Sequence, residues 1–228
     1  MASAVLPATR VVEEGLFQVL VTEPVDAQWN LALEQELLRE VQAGSRPDTV
    51  RLWVNDECLV RGLHENRRFG GYDERLAREL GVRVYTRNTG GGCVYHDRGN
   101  LNWSFYVRST EGFVGSMKLF QWSSGFIIEA LQTLGLDATF GCPNRIDVAG
   151  KKVSGQAARA TSRASLVHGT LLVSSDLERL RALCIPPPDC PPVARLRDFD
   201  PRLSVTEVTR AIVGVLAAAR PGQATRTR

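Results

Sequence analysis

No apolar run in these 228 residues approaches the roughly 20 that a helix needs to cross a bilayer. The longest late one, Ile212 to Ala219, stops well short, so the sequence is read as carrying no membrane segment. The start, M-A-S-A-V-L-P-A-T-R, lacks a charged stretch leading into a long apolar core, which argues against a secretory leader. Cysteine occurs five times, at Cys58, Cys93, Cys142, Cys184 and Cys190. An odd number with no C-x-x-C pair and no leader is read as reduced thiols in a cytoplasmic protein. The formal charge is only +3, too little by itself to argue for nucleic acid, although 28 basic residues suit an anionic substrate or an acidic partner protein. There is no internal repeat. With 43% hydrophobic and 23% charged residues, the composition excludes disorder and fibrous architecture and leaves one domain with a sizeable core.

The stretch that stands out is R-N-T-G-G-G-C-V-Y-H-D-R-G-N-L-N-W-S-F, from Arg87 to Phe105. Gly90, Gly91 and Gly92 let the backbone take positive φ and approach a ligand that any Cβ would hold off. Arg87 stands before them as a cation able to fork onto phosphate or carboxylate. His96, Asp97, Asn100 and Asn102 crowd polar groups behind them. Val82 to Thr86 and Leu101 to Val107 read as flanking strands, so the loop is a held surface rather than a slack linker.

Along the chain, a tail (residues 1–14) precedes a strand at Leu16 to Thr22. Asp26 caps a helix carrying Trp29, Leu31, Leu37 and Leu38 at helical spacing. Thr49 to Val54 and Cys58 to Gly62 read as strands joined by the turn N-D-E, with His64, Glu65 and Asn66 emerging after the second. Helices are expected at Tyr72 to Leu80, stopped by Gly81, and at Ser116 to Leu134, stopped by Gly135. In C-P-N-R-I-D-V-A-G-K-K-V-S-G-Q-A-A-R, Cys142 to Arg159, Ala149 and Gly150 make a hairpin turn. Adjacent strand residues face opposite ways, so only one of Lys151 and Lys152 can point at a ligand. L-V-H-G-T-L-L-V-S, Leu166 to Ser174, is an apolar strand broken by His168 and Gly169. A histidine there is either a satisfied core residue or a functional one, and the glycine marks a close approach. After a short helix capped by Asp176, the proline-rich connection (185–192) excludes regular helix. A terminal helix spans about 206–219 and a tail 220–228.

Several of these stretches together resemble the lipoate-protein ligase A family. The family pattern R-R-x-S/T-G-G-G-x-V-Y/F-H-D-x-G-N is similar to Thr86 to Asn100, its N-D-x-x-x-x-G-K/R-K-I/V-S-G to Asn144 to Gly155, and its H-G-T-L-L to His168 to Leu172. Arg51 to Asn55, Gly62 to Asn66 and Asn30 to Glu34 also match. The resemblance implies one α/β (α+β) domain at 15–219, biotin-ligase-like or lipoate-ligase-like, with mixed, mainly antiparallel sheets flanked by helices. It implies an enzyme that spends ATP, with Mg²⁺, to make lipoyl-adenylate and passes the lipoyl group to a lysine of an acceptor domain. It assigns Lys152 to the lipoyl carboxyl and α-phosphate. Arg87, Gly90, Gly91, Gly92, Cys93, Val94 and Tyr95 fall to the nucleotide, Asn144 to the phosphates and the vicinity of Mg²⁺, and Asn100 and His168 to the pocket wall. Neither nucleic acid nor membrane is implied as a partner.

Two positions depart from the pattern. Thr86 replaces the first arginine of the pair, and Arg145 replaces the aspartate of N-D, which leaves Asp147 as its substitute. No room remains for the family's accessory domain, so the chain resembles the short catalytic form, working alone or with a small separate subunit. The rival expectation is an ATP-independent octanoyl or lipoyl transferase using a cysteine thioester, with Cys142 as nucleophile.

Overall fold

The computed structural model describes residues 9–12, 15–63, 70–108 and 116–220. Among them no helix is long and apolar enough to cross a membrane. Two short strands open the chain, β1 (Thr9–Val12) and β2 (Gln18–Thr22), paired antiparallel. The expected loose tail thus ends early, because the alternating T-R-V-V can extend the sheet along the edge of β2. Helix α1 (Ala27–Ala43) starts where the Asp26 carboxylate accepts the Gln28 main-chain N–H at 2.7 Å, and it stops at Gly44, whose φ of 75° closes the last turn.

Strands β3 (Thr49–Trp53) and β4 (Cys58–Arg61) follow. They do not pair with each other as a hairpin. β3 runs parallel to β2, whereas β4 leaves for a second sheet. The turn between them cannot close tightly because Asn55 is buried and bonded to Asn30 and His96. Next come β5 (Gly71–Tyr72), α2 (Glu74–Glu79), β6 (Arg83–Thr86) and β7 (Cys93–His96). β7 was expected as part of the loop, yet Cys93 to His96 pairs in full with β4. The helix expected from Tyr72 starts two residues later, because Asp73 is its cap and Tyr72 pairs across a two-stranded ribbon. Residues His64, Glu65 and Asn66 lie outside the described residues.

The remainder is β8 (Asn100–Arg108), α3 (Ser116–Thr133), β9 (Ala138–Gly141), β10 (Arg145–Val148), β11 (Lys151–Ala160), β12 (Ala164–Leu172), α4 (Leu177–Leu183), β13 (Cys184–Ile185) and α5 (Val205–Ala218). The large sheet has the order β1-β2-β3-β8-β12-β11-β10-β9, mainly antiparallel, and the small one β6-β4-β7. The segment after α4 was expected only as an extended connection. It also donates β13 to β5 and a bridge from Val193 to Lys152.

The central strand β8 shows how the sequence builds the layers. Leu101, Trp103, Phe105 and Val107 enter a core with Phe126, Ile127 and Leu131 of α3 and Ile212 and Leu216 of α5. The alternate residues face the other way, where Tyr106 packs with Leu37, Leu38 and Val41 of α1 and Asn102 and Ser104 remain to line polar space. Phe17, Phe105, Trp122 and Phe126 interlock at centroid separations of 5.4–5.9 Å, a geometry that adds to the apolar burial. The small sheet packs Cys58 and Val60 toward α1 and Trp53. Its other face puts Leu59 and Tyr95 against Ala77 of α2 and Leu183 of α4.

Candidate active site

The glycine loop is shaped from within. Arg87 is buried, and its guanidinium donates to Thr89 Oγ1 at 3.0 Å, the Val60 carbonyl at 2.9 Å, and the Gly90 and Gly92 carbonyls at 2.7 and 2.9 Å. The arginine expected to fork onto an anion spends its donors curling the loop, and burial lowers its pKa. Gly91 takes φ 96°, which disfavours any side chain there. Gly62 seats the loop. Its N–H reaches the Gly92 carbonyl at 3.1 Å, and a Cβ on it would stand 2.2 Å from the Gly91 oxygen.

The lysine hairpin forms the opposite wall. Ala149 and Gly150 have φ of 47° and 73°, the double positive φ of a tight hairpin turn. A bulge opposite Ile146 and Asp147 shifts the register so that Asp147 faces Lys152. Bulges re-aim side chains, and here Lys151 is exposed while Lys152 lines the cavity. Lys152 reaches back over Gly155, where a Cβ would come within 3.4 Å of Nζ. Among the described residues no carboxylate pairs with it. Asn144, at the base of the hairpin, donates to the Gln156 carbonyl at 2.6 Å, which leaves its oxygen for a ligand.

Two buried polar chains support these walls. In the first, Trp53 Nε1 donates to Ser104 Oγ at 2.9 Å and Ser104 to Glu34 at 2.7 Å; His168 Nδ1 lies 3.0 Å from Glu34 and Nε2 2.8 Å from Thr89 Oγ1. The Glu34 carboxylate can only accept, so His168 Nδ1–H donates to it, while Thr89 Oγ1, which accepts from Arg87, bonds the other ring nitrogen. Burial pushes the Glu34 pKa up, but His168, Ser104 and Arg51 together hold it below the usual value. His168 is therefore neither an idle core residue nor a lone one: it joins the glycine loop to α1 while lining the cavity.

The second chain starts at Arg51, which can only donate. It bonds the Asn30 side-chain oxygen, which fixes the Asn30 amide. Asn30 Nδ2 then donates to Asn55 Oδ1 at 2.7 Å, and Asn55 Nδ2 faces His96 Nδ1 at 2.8 Å. His96 Nδ1 must accept, so the proton of the neutral ring sits on Nε2. That atom is buried without a hydrogen-bond partner among the described residues, and the ring lines the cavity.

The cavity between the walls has a volume of about 260 Å³ and is lined mainly by apolar area. It gathers Arg87, Gly91, Gly92, Cys93, Val94, Tyr95, Asn144, Lys152 and His168. Gly90 is left out. Asn100 lies one layer behind, donating to Asn102 at 3.0 Å, and Asn102 takes the wall position. Cys142 is exposed and outside the cavity, because the hairpin aims it outward. Asp147 is bonded to Arg145 at 2.9 Å, likewise outside. The residues that sequence reasoning missed are Trp53, Glu34, Ser154 and the segment Cys184–Val193. Signals for Trp53 and Glu34 were present in R-L-W-x-N and N-L-A-L-E, and Ser154 lies within the lysine motif, but nothing in the linear sequence aimed these residues and the proline-rich segment at a common point. No cluster of three His, Cys, Asp or Glu side chains fit to hold a metal occurs among the described residues. Asn144 Oδ1 and the unpartnered Ser154 hydroxyl fit a Mg²⁺ that arrives on a phosphate chain, since that ion needs few protein ligands.

Two sheets meet over a largely apolar cavity in an α/β domain, with the main-chain glycine loop on one wall and, on the other, Lys152, which has no carboxylate partner among the described residues. Residues 26–217 match the family described as Lipoyl protein ligase A/B catalytic domain, and the chain belongs to that family. It is 36% identical over 170 residues to a candidate lipoate-protein ligase A of Aeropyrum pernix, covering 74% of this chain and 62% of that protein's length. A crystal structure of lipoate-protein ligase A bound with ATP superposes with a TM-score of 0.78 at 27% identity, over 91% of this chain and 87% of the other. A candidate lipoate protein ligase from Thermoplasma acidophilum with bound lipoic acid gives 0.75 at 27%, over 90% and 85%. A bi-partite lipoate protein ligase and its E2 lipoyl domain, also from T. acidophilum, gives 0.73 at 25%, over 90% and 83%.

Proposed function

We propose that this protein activates lipoate with ATP and transfers the lipoyl group to a lysine of an acceptor domain. The observation that carries the reading is Lys152, an ammonium with no carboxylate partner among the described residues, facing a glycine loop across a largely apolar cavity. Lipoate has no leaving group at its carboxyl. Attack of the carboxylate on the α-phosphorus expels pyrophosphate and gives a mixed anhydride; the acceptor amine then attacks the carbonyl and AMP leaves. Lys152 stabilises the charge on both occasions. The main chain at Gly92, Cys93, Val94 and Tyr95 receives the nucleotide. Trp53, Leu31 and Val60 offer apolar surface to the acyl chain, and the Glu34–His168 pair keeps the loop in register with α1. Mg²⁺ supplies charge neutralisation on the phosphates when bound, with Asn144 beside it.

The related bi-partite enzyme supports a small separate subunit as a partner, alongside the acceptor domain. A thioester route through Cys142 finds no support in its exposed position. The test is intact-mass analysis of a purified lipoyl acceptor domain incubated with this protein, lipoate and Mg²⁺, with and without ATP, and in parallel with the accessory subunit. A lipoyl mass should appear only with ATP and disappear in Lys152→Ala; normal turnover by that variant refutes the reading.

A further inference from the structure

Among the described residues, two that line the cavity carry a buried polar side-chain atom without a hydrogen-bond partner, Ser154 at Oγ and His96 at Nε2. They stand at opposite ends of it. The floor crosses four neighbouring strands, β3-β8-β12-β11. Trp53 pairs with Asn102, Asn102 with Thr170, and the Gly155 N–H faces Thr170 Oγ1 at 3.5 Å. Three strand spacings therefore separate Trp53 from Gly155, about 14 Å. Lys152 lies over Gly155, with Ser154 beside it in the chain. His96 is at the other end, its ring edge-to-face with Trp53 and the centroids 6.2 Å apart.

The two ends differ in kind. Lys152, Asn144 and Ser154 gather polar groups at the first. At the second, Leu31, Trp53, Val60 and Val94 pack as one apolar cluster and all four line the cavity. His96 sets an N–H donor into that apolar wall, and the chain behind it fixes which nitrogen carries the proton. Asn30 Nδ2 faces the Val54 carbonyl at 3.1 Å and Asn55 Oδ1 at 2.7 Å, while Arg51 donates to Asn30 Oδ1. A flipped Asn30 amide would set donor against donor at Arg51 and acceptor against acceptor at Val54. Asn55 therefore offers Nδ2 to His96 Nδ1 at 2.8 Å, and the ring proton stays on Nε2.

A buried donor left unpaired costs free energy, and bulk water does not satisfy this one, because the atom is buried. An acyl chain made of CH₂ and CH₃ groups alone fills the apolar end and leaves the N–H unpaired. A chain that ends in a sulfur-bearing ring brings a weak acceptor to it.

We propose that His96 is a specificity-determining residue for the acyl substrate: with the carboxylate at Lys152, its Nε2–H donates to a ring sulfur of lipoate and so favours lipoate over all-carbon acids of the same length. The inference rests on the function proposed above and adds to it the group that reads the far end of the substrate. No covalent bond changes there, and the ring disulfide passes through the reaction intact.

The probes are lipoate and its carbocyclic analogue, cyclopentylpentanoate, in which both sulfurs are CH₂ and the shape is kept. The full-length protein is given equal amounts of the two acids with ATP, Mg²⁺, the acceptor domain and the accessory subunit, and intact mass gives the ratio of the two products. The lipoyl product should lead by about threefold to tenfold, the size of one net neutral hydrogen bond. His96→Phe should abolish that lead. His96→Gln, whose amide still donates into the cavity, should largely keep it. A ratio of products is unmoved by loss of folded protein, so a purely structural role for His96 predicts no change. A second measurement needs only the wild type. The chain has three histidines, and in protein with isotope-labelled histidine the His96 Nε2–H resonance, identified by its absence in His96→Gln, should move downfield with lipoate and stay in place with the analogue. Equal products in the wild type, a lead that survives in His96→Phe, or an unmoved resonance overturns the role of His96 and leaves the ligase reading standing. A resonance that moves with lipoate in a protein that makes neither product upholds His96 as a lipoate contact while overturning the proposed function.

Discussion

The buried chain from Arg51 to His96 makes a prediction about stability and pH that can be worked through in numbers. Replacing His96 by Gln keeps an oxygen to accept from Asn55 and an amide to face the cavity, but removes the titration. Burial, with Arg87 and His168 nearby and only Glu34 opposing, lowers the His96 pKa to about 3. The geometry gives the same direction independently, because a proton on Nδ1 would set an N–H against the Asn55 amide hydrogens.

In the unfolded chain the same ring titrates near 6.5. The folded pKa is the lower one, so between the two values the unfolded state binds the extra proton. The stability that depends on neutral His96 is then complete above about pH 6.5 and declines as pH falls toward 3, by about 1.4 kcal/mol for each unit. Between about pH 7 and about pH 5 the loss assigned to this one ring is about 2 kcal/mol. Urea unfolding of the wild type and His96→Gln at both pH values gives the double difference, in which groups common to the two proteins cancel. The wild type should lose about 2 kcal/mol more than the variant. An equal loss in both proteins would mean that His96 titrates normally in the fold and that the Asn30–Asn55–His96 chain has been read in the wrong direction.

Gly169→Ala would put a Cβ 2.4 Å from Trp103 Cζ2 and 3.0 Å from the Gly155 carbonyl, and overpacking of this kind should lower stability by about 1–3 kcal/mol; an unchanged melting temperature would show that the Trp103 ring has room to move. Glu34→Gln turns a carboxylate that accepts from both Ser104 and His168 into an amide with one acceptor atom, and should cost about 1–3 kcal/mol in a urea titration, with a wild-type midpoint counting against the buried pair.

The parts of the site that could be read in the sequence are those governed by local rules. Alternation along a strand separates Lys151 from Lys152, and the hairpin at Ala149 and Gly150 is set by its own turn. Gly169 marks a close approach, which turns out to be the Trp103 indole. The parts that could not be read depend on side chains meeting across long stretches of chain. Asn30 and Asn55 are 25 residues apart, Asn55 and His96 41, and Glu34 and His168 134. No periodicity encodes such meetings. Proximity along the chain misled in the other direction: Cys142 lies next to the lysine motif yet faces solvent, while Cys184, far away in sequence, lines the cavity with Cys93. Arg87 shows a further limit, since its residue type gives its charge but not which acceptors take up most of its donors.

The two departures from the family pattern are each met by a neighbour. Thr86 lies opposite Arg61 in the β4–β6 pairing, and its hydroxyl accepts the Arg61 Nε at 3.0 Å. A guanidinium therefore stands beside the position where the pattern has an arginine, supplied by the adjacent strand. Arg145 introduces a cation where the pattern has an acid, but its Nε lies 3.0 and 2.9 Å from the two Asp147 oxygens and its Nη1 bonds the Cys142 carbonyl. That charge is neutralised at the foot of the hairpin and adds nothing to the cavity. The cavity's own balance is left to Lys152 and Arg87 against a Glu34 that shares its charge with His168. Since Arg87 gives four of its five donors to Val60, Thr89, Gly90 and Gly92, Lys152 is the cation there with more hydrogen-bonding capacity to spare, which makes the hairpin that aims it, bulge, turn and Gly155 included, the element on which the proposed anion binding depends.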